Sequence, residues 1–220
     1  MAIKGNSFLI DICGTIFKSN TTFDFVKYCF GHKKKVKLWF SLPYRIYNRL
    51  MYRCFCREPL RNNLISLLNG ISRERLDEMA EEFYNDYLLK RVNGQTLGVI
   101  EQWRSQGADL IIVSATIDVI AQMVARHYGI DVCLSTRLNY SADGQCEGTI
   151  AYDLLPHKKD ALDAEGVMPP YAGIITDNYS DVKLVKASRK AYLITYDKNI
   201  NKWKELLTTD EINRCEMVYV

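Results

Sequence analysis

Three carboxylates, a hydroxyl and an ammonium stand in this 220-residue chain at the ends of apolar runs or at expected helix starts. In an open α/β sheet those are the positions where ligands bind and chemistry is done. Asp11 closes the run Ser7-Phe-Leu-Ile and is followed by Cys13, Gly14 and Thr15. Ser114 closes Ala108-Asp-Leu-Ile-Ile-Val113 and precedes Ala115 and Thr116. Asp177 closes Ala172-Gly-Ile-Ile-Thr176, with Asp181 four residues on. The pair Lys158-Lys159 opens an amphipathic stretch ahead of that last run. The set holds a nucleophile candidate, a hydroxyl, a cation and two further carboxylates. Each alone could be a helix cap or a turn residue; their convergence at strand ends singles them out.

The elements around them read as a parallel sheet flanked by helices. Strands are expected over Ser7 to Asp11, Ala108 to Val113, Val132 to Leu134, Ala172 to Thr176 and Ala191 to Thr195. Helices are expected over Ile117 to His127, Lys158 to Glu165 and Asp181 to Ser188, with a hairpin turn at Asp143-Gly144. Short connections between alternating strands and helices give a parallel, Rossmann-like α/β core. Between Thr21 and Gln106 the pattern is helical throughout. Thr21-Thr22 caps a helix to Gly31, Pro43 starts one that runs to about Arg57, and Ser72 starts a third that Asn93-Gly94 breaks. The expected organisation is a core of residues 1–18 and 94–220 with an all-helical insert, 19–93.

Composition narrows the class. With 48% hydrophobic and 25% charged residues, the chain is neither disordered, collagen-like nor a disulfide scaffold. Seven cysteines without framework spacing read as reduced thiols. No apolar run approaches the roughly 18 residues of a membrane span, and the first residues lack a signal-peptide core. The expected location is cytoplasmic, including the inner face of the membrane. From Lys33 to Arg57 there are eight Lys and Arg residues and no Asp or Glu. That segment sets a positive field on an otherwise acidic body.

Asp11-Ile-Cys-Gly-Thr15, Val113-Ser114-Ala115-Thr116, the lysine at 158 and Asp177-Asn-Tyr-Ser-Asp181 together resemble the four motifs of the haloacid dehalogenase superfamily. The stretch from Ile112 to Leu138 and the hairpin between Asp143 and Thr149 resemble its phosphoserine phosphatase-like branch, which carries a helical cap where the insert lies here. The resemblance implies Mg²⁺-dependent phosphoryl hydrolysis or transfer through an aspartyl-phosphate on Asp11. It implies a metal held by Asp11, the backbone carbonyl of Cys13 and Asp177, with Asp181 orienting the set. Ser114 and Lys158 would complete the catalytic group, with Lys159 the alternative lysine. Thr15, Ala115, Arg45 and Arg49 would bind substrate.

One position departs from the family. Cys13 stands where a second Asp usually protonates the leaving group, and general acid–base help of that kind is worth about 10²–10⁴-fold. Turnover is therefore expected to be slow, and a phosphate- or lipid-headgroup-binding module is the competing reading. A thiol nucleophile paired with His32, His127 or His157 ranks lower, because no histidine lies in a partner motif.

The basic segment adds a second theme. Arg45, Arg49, Arg53 and Arg57 fall at spacings of four beside an apolar stripe of Ile46, Tyr47, Leu50 and Met51. The pattern suits a helix whose apolar side packs inward, a phosphorylated small molecule or lipid phosphate, or an anionic membrane surface. Nucleic acid ranks below these, and the sequence is silent on oligomeric state.

Overall fold

Three of the apolar runs that end in polar residues become neighbouring strands at the middle of one sheet. The computed structural model describes residues 6–55, 58–195 and 200–219. Strand β1 (Ser7–Ile10) pairs in parallel with β2 (Asp109–Ile117) on one side and β5 (Tyr171–Thr176) on the other. β3 (Val132–Tyr140), β4 (Cys146–Tyr152), β6 (Ser188–Thr195) and β7 (Cys215–Tyr219) complete the order β4-β3-β2-β1-β5-β6-β7. Among the described strands of this sheet, only β3 and β4 pair antiparallel. Every residue of β1 and β5 is buried, as expected of parallel strands covered on both faces.

The chain winds outward from β1 in one direction through β2 and β3, then in the other through β5, β6 and β7. The reversal falls between β1 and β5, so Asp11 and Asp177 leave the sheet side by side. Helices α7 (Asp118–Tyr128), α8 (Lys158–Ala164) and α9 (Val182–Lys186) connect the later strands. Gly129 ends α7 in the left-handed conformation, as its sequence position predicts.

Between β1 and β2 the described elements are helical: α1 (Thr21–Phe30), α2 (Lys34–Trp39), α3 (Leu42–Phe55), α4 (Pro59–Ile65), α5 (Arg73–Phe83) and α6 (Gly94–Ser105). Phe25, Leu64, Leu76 and Phe83 of this insert share one hydrophobic cluster with Phe8, Ile12, Ile117 and Ile120 of the core. Two connectors join insert to core and pair with each other. Phe17 bridges Val92, Lys18 donates its N–H to the Arg91 carbonyl (2.8 Å), and Asn93 donates to Ile16 (2.8 Å).

Several expectations change in detail. Asn20, not Thr21-Thr22, caps α1, its side chain accepting from Phe23 N–H. The threonines turn inward instead: Thr21 Oγ1 lies 2.7 Å from Thr116 Oγ1, and Thr22 Oγ1 accepts from Ile117 N–H. The helix from Ser72 keeps α geometry only to Phe83, then continues as a π turn over Tyr84–Leu88. α2, α4, α10 (Ile200–Leu206), α11 (Thr209–Asn213) and β7 were not anticipated. The β2 and β3 strands run longer than their apolar cores, because their far ends pair around an irregularity between Ser114 and Ile117.

On α3, Tyr44, Asn48 and Met51 are half-buried, while Leu42, Ile46, Tyr47 and Leu50 are exposed. Asn48 accepts the N–H of Leu60 at 2.8 Å, which ties α3 to the start of α4. Ile46, Tyr47 and Leu50 therefore do not pack inside the insert. Arg57, and the side chain of Arg53, lie outside the described residues. The five described cysteines are free thiols.

Candidate active site

The loop after β1 wraps around one carbonyl. The N–H groups of Thr15, Ile16 and Phe17 all donate to Ile12 O at 3.0–3.3 Å, which curls the chain back and leaves Asp11 at the sheet's edge. Gly14 has φ +70°, and a Cβ there would lie 2.1 Å from Asp177 Oδ2. Only glycine admits this approach. Thr15 is fully buried and clamps the same aspartate: its hydroxyl donates to Asp177 Oδ1 (3.3 Å) and accepts from Asp177 N–H (3.0 Å). Thr15 thus positions Asp177, a different place from the substrate contact expected of it.

Asp11 is buried, and its Oδ1 accepts from Ile12 N–H at 2.9 Å. Lys158, at the first turn of α8 and 4% exposed, lies 3.6 Å from Asp11 Oδ1 and donates to Asp181 Oδ2 at 2.8 Å. Thr176 donates its hydroxyl to the same Asp181 oxygen at 2.8 Å. Asp181 therefore holds the lysine in place. Lys159 points outward to Asp163 and is about half exposed, so Lys158 is the lysine at the site. Ser114 is fully buried, 3.1 Å from Thr116 Oγ1, and within hydrogen-bonding reach of the Asp11 carboxyl.

The electrostatics are those of an under-neutralised cluster. Asp11, Asp177 and Asp181 face one ammonium, that of Lys158. Burial, opposed by Lys158, pushes the Asp11 carboxyl above the usual range. Burial and then Asp11 push Asp177 up to about 7. Burial, Asp11 and Asp177 push the Cys13 thiol up to about 12, which disfavours its thiolate near neutral pH. Among the described residues no group of three or more His, Cys, Asp or Glu side chains forms a metal cluster. Two carboxylates and a backbone carbonyl nevertheless suit Mg²⁺, which takes few protein oxygens and keeps its waters, and its charge answers the surplus of carboxylates. The residues present fit that ion.

A cavity of about 320 Å³ opens over this cluster, lined by Asp11, Cys13, Ala115 and Asp177 from the core and by Phe23 and Arg61 from the insert. Arg61 escaped the sequence reading. It is only 5% exposed, and its guanidinium donates to both carboxylate oxygens of Asp153 (2.9 and 2.7 Å), to Ala115 O (3.1 Å) and to Thr136 Oγ1 (3.0 Å). It bolts α4 to the backbone beside Ser114. The available signal was an arginine among Leu60, Leu64 and Ile65 on the inward face of a short helix. Arg45 and Arg49 stand apart from Asp11. They line an adjoining cavity of about 420 Å³ that shares Asn20 and Phe23 with the first.

A doubly wound α/β sheet gathers a buried carboxylate, hydroxyl and lysine at its switch point. The chain belongs to the haloacid dehalogenase-like hydrolase family, whose pattern it matches over residues 8–186. It is 27% identical over 132 residues to the protein CicA of Caulobacter vibrioides, a match covering 58% of this chain and 59% of that one. The chain thus spans about three fifths of the length of that curated relative. Its fold resembles a protein of unknown function from Bordetella pertussis Tohama I (TM-score 0.72, 17% identity, 98% and 99% of the two chains). It also resembles a structure described as a phospho-aspartyl intermediate analogue of phosphoserine phosphatase (TM-score 0.59, 15% identity, 99% and 93%).

Proposed function

We propose that this chain is a Mg²⁺-dependent phosphohydrolase or phosphotransferase that works through an aspartyl-phosphate on Asp11, with a phosphorylated small molecule or a lipid phosphate as substrate. The observation that carries this reading is the meeting of Asp11, Ser114 and Lys158, from β1, β2 and α8, beside Asp177 in one buried cluster. The aspartyl-phosphate of the fold's phosphoserine phosphatase relative supports it. Helices α1 to α5, within residues 19–93, act as a cap over the cavity.

In the first step a carboxylate oxygen of Asp11 bonds to phosphorus as the bond to the leaving oxygen breaks. In the second, water attacks the same phosphorus, the acyl-phosphate bond breaks, and the carboxylate is restored with inorganic phosphate released. Lys158 neutralises charge developing on the phosphoryl oxygens, and Ser114 donates a hydrogen bond to one of them. Asp181 and Thr176 hold the ammonium in position. Asp11, the Cys13 carbonyl and Asp177 would hold Mg²⁺, which would supply the positive charge that an anionic nucleophile needs to approach a phosphate.

Cys13 sets the rate. A thiol whose pKa is pushed up to about 12 is a poor general acid for a leaving alkoxide near neutral pH. Acyl and aryl phosphates, whose leaving groups need less protonation, turn over best. The same residue supports the second reading, a phosphate-binding protein without turnover. The test is phosphate release from a panel of phosphorylated metabolites and lipid phosphates with Mg²⁺, together with the intact mass of acid-quenched enzyme. A phosphoryl mass gain in the native chain that Asp11→Asn loses supports the mechanism; hydrolysis that survives Asp11→Asn ends it.

A further inference from the structure

The outer surface of the helical insert is the least ordinary part of the exterior. Nine large hydrophobic residues are exposed among the described residues, and Leu38, Leu42, Ile46, Tyr47 and Leu50 are five of them. They are 64, 69, 54, 46 and 56% exposed. Leu42, Ile46 and Leu50 repeat every four residues along α3, and with Tyr47 they occupy an arc of about 140° at 100° per residue. Arg45 and Arg49 run along one border of that arc. Lys34, Lys35 and Lys37 of α2 stand exposed beside it, and no Asp or Glu occurs from residue 33 to 57.

We propose that this face of α2 and α3 seats the protein on an anionic lipid bilayer. A row of leucine and isoleucine bordered by cations matches both layers of such a surface: acyl chains for the apolar row, phosphate headgroups for the lysines and arginines. The charge pattern selects this occupant. A second copy of the chain, docked by two-fold symmetry, would set the same five cations against their own kind. A nucleic acid would find its nearest contacts made by leucines, which carry nothing for a phosphate backbone.

The position of the arginines gives the docking a consequence for the site. Arg45, Arg49 and Asn48 line the cavity that joins the one over Asp11 through Asn20 and Phe23. A lipid phosphate drawn to the Arg45–Arg49 border therefore lies in the cavity next to the one over Asp11. That added step rests on the hydrolase reading above; the docking itself does not.

The test is flotation of the full chain with vesicles of phosphatidylcholine alone or with one third phosphatidylglycerol. Binding to the anionic vesicles alone is expected, with partition falling at least tenfold as salt rises from about 0.05 to about 0.5 M. Ile46→Asp/Leu50→Asp and Arg45→Gln/Arg49→Gln should each lower partition roughly tenfold or more. The first double variant, on exposed positions, should keep the native melting curve and native hydrolysis of p-nitrophenyl phosphate. Should it misfold, Ile46→Ser/Leu50→Ser takes its place. Asp11→Asn should float as the native chain does, which separates docking from turnover. The proposal is overturned by absence of binding to anionic vesicles, or by equal binding of the Asp double variant. It is also overturned if sedimentation shows a dimer that Ile46→Asp/Leu50→Asp dissolves.

Discussion

Gly14→Ala, read against Gly144→Ala, probes the candidate site with its own internal control. Both glycines have positive φ, +70° and +77°, so alanine costs about 1–2 kcal/mol of backbone strain at either position. They differ in what the new methyl group meets. At Gly144 nothing lies within 4 Å, whereas at Gly14 the methyl lies 2.1 Å from Asp177 Oδ2. Ordinary contact at about 3.4 Å then requires Asp177 to retreat by about 1.3 Å, against its two hydrogen bonds with Thr15. Overpacking of that kind adds about 1–3 kcal/mol. A displacement of about 1 Å in a reacting group costs on the order of 10²-fold in rate. Urea unfolding and kcat/KM on p-nitrophenyl phosphate should thus show Gly144→Ala mildly destabilised with native turnover, and Gly14→Ala more destabilised with turnover down about a hundredfold. Native turnover in Gly14→Ala, or the same loss in both variants, would falsify the placement of Asp177 at the reacting centre.

Cys13→Asp places a carboxyl where the thiol is a poor proton donor, and kcat/KM on phosphate monoesters should rise about 10²–10⁴-fold; no rise over native favours the binding-protein reading. The same variant adds a fourth carboxylate near Lys158, so its melting temperature without Mg²⁺ should fall below native. Mg²⁺ itself should raise the melting temperature of the native chain. Saturation at about a hundred times Kd contributes about 2.7 kcal/mol, and Asp177→Asn should abolish most of that shift in a thermal scan. Arg61→Met removes the bonds to Asp153, Ala115 and Thr136. Because the Asp153 side chain is about a third exposed and can be rehydrated, urea unfolding should show a loss of about 2–3 kcal/mol, less than for a fully buried pair.

The polar cluster was legible in the sequence because strand ends advertise themselves. Each of Asp11, Ser114 and Asp177 follows a largely apolar run, and a parallel sheet brings such ends to one edge whatever the distance between them along the chain. Lys158 could not be told from Lys159 until α8 fixed which of the two faces inward. Arg61 was missed because a buried charge is justified only by partners far off in sequence, here Asp153 and Thr136. α2 was hidden by lysines at four of the five positions 33–37, which no apolar period betrays. The stripe on α3 was visible, but periodicity shows only that a face exists. Its outward direction is set by Asn48 and Tyr44, which bind Leu60 and Asn63 of α4 on the other side.

The neighbours of β1 lie far along the chain: Ser7 pairs with Asp109, about a hundred residues later, and Phe8 with Gly173, about 165 later. Contacts of such long range close late in folding, after local helices have formed. Asp11 is made early in synthesis yet gains its lysine and its companion aspartate only when α8 and β5 arrive. A growing chain therefore carries an ordinary, water-exposed carboxylate at this position. Its charged partners reach it only once the central strand is enclosed on its second side.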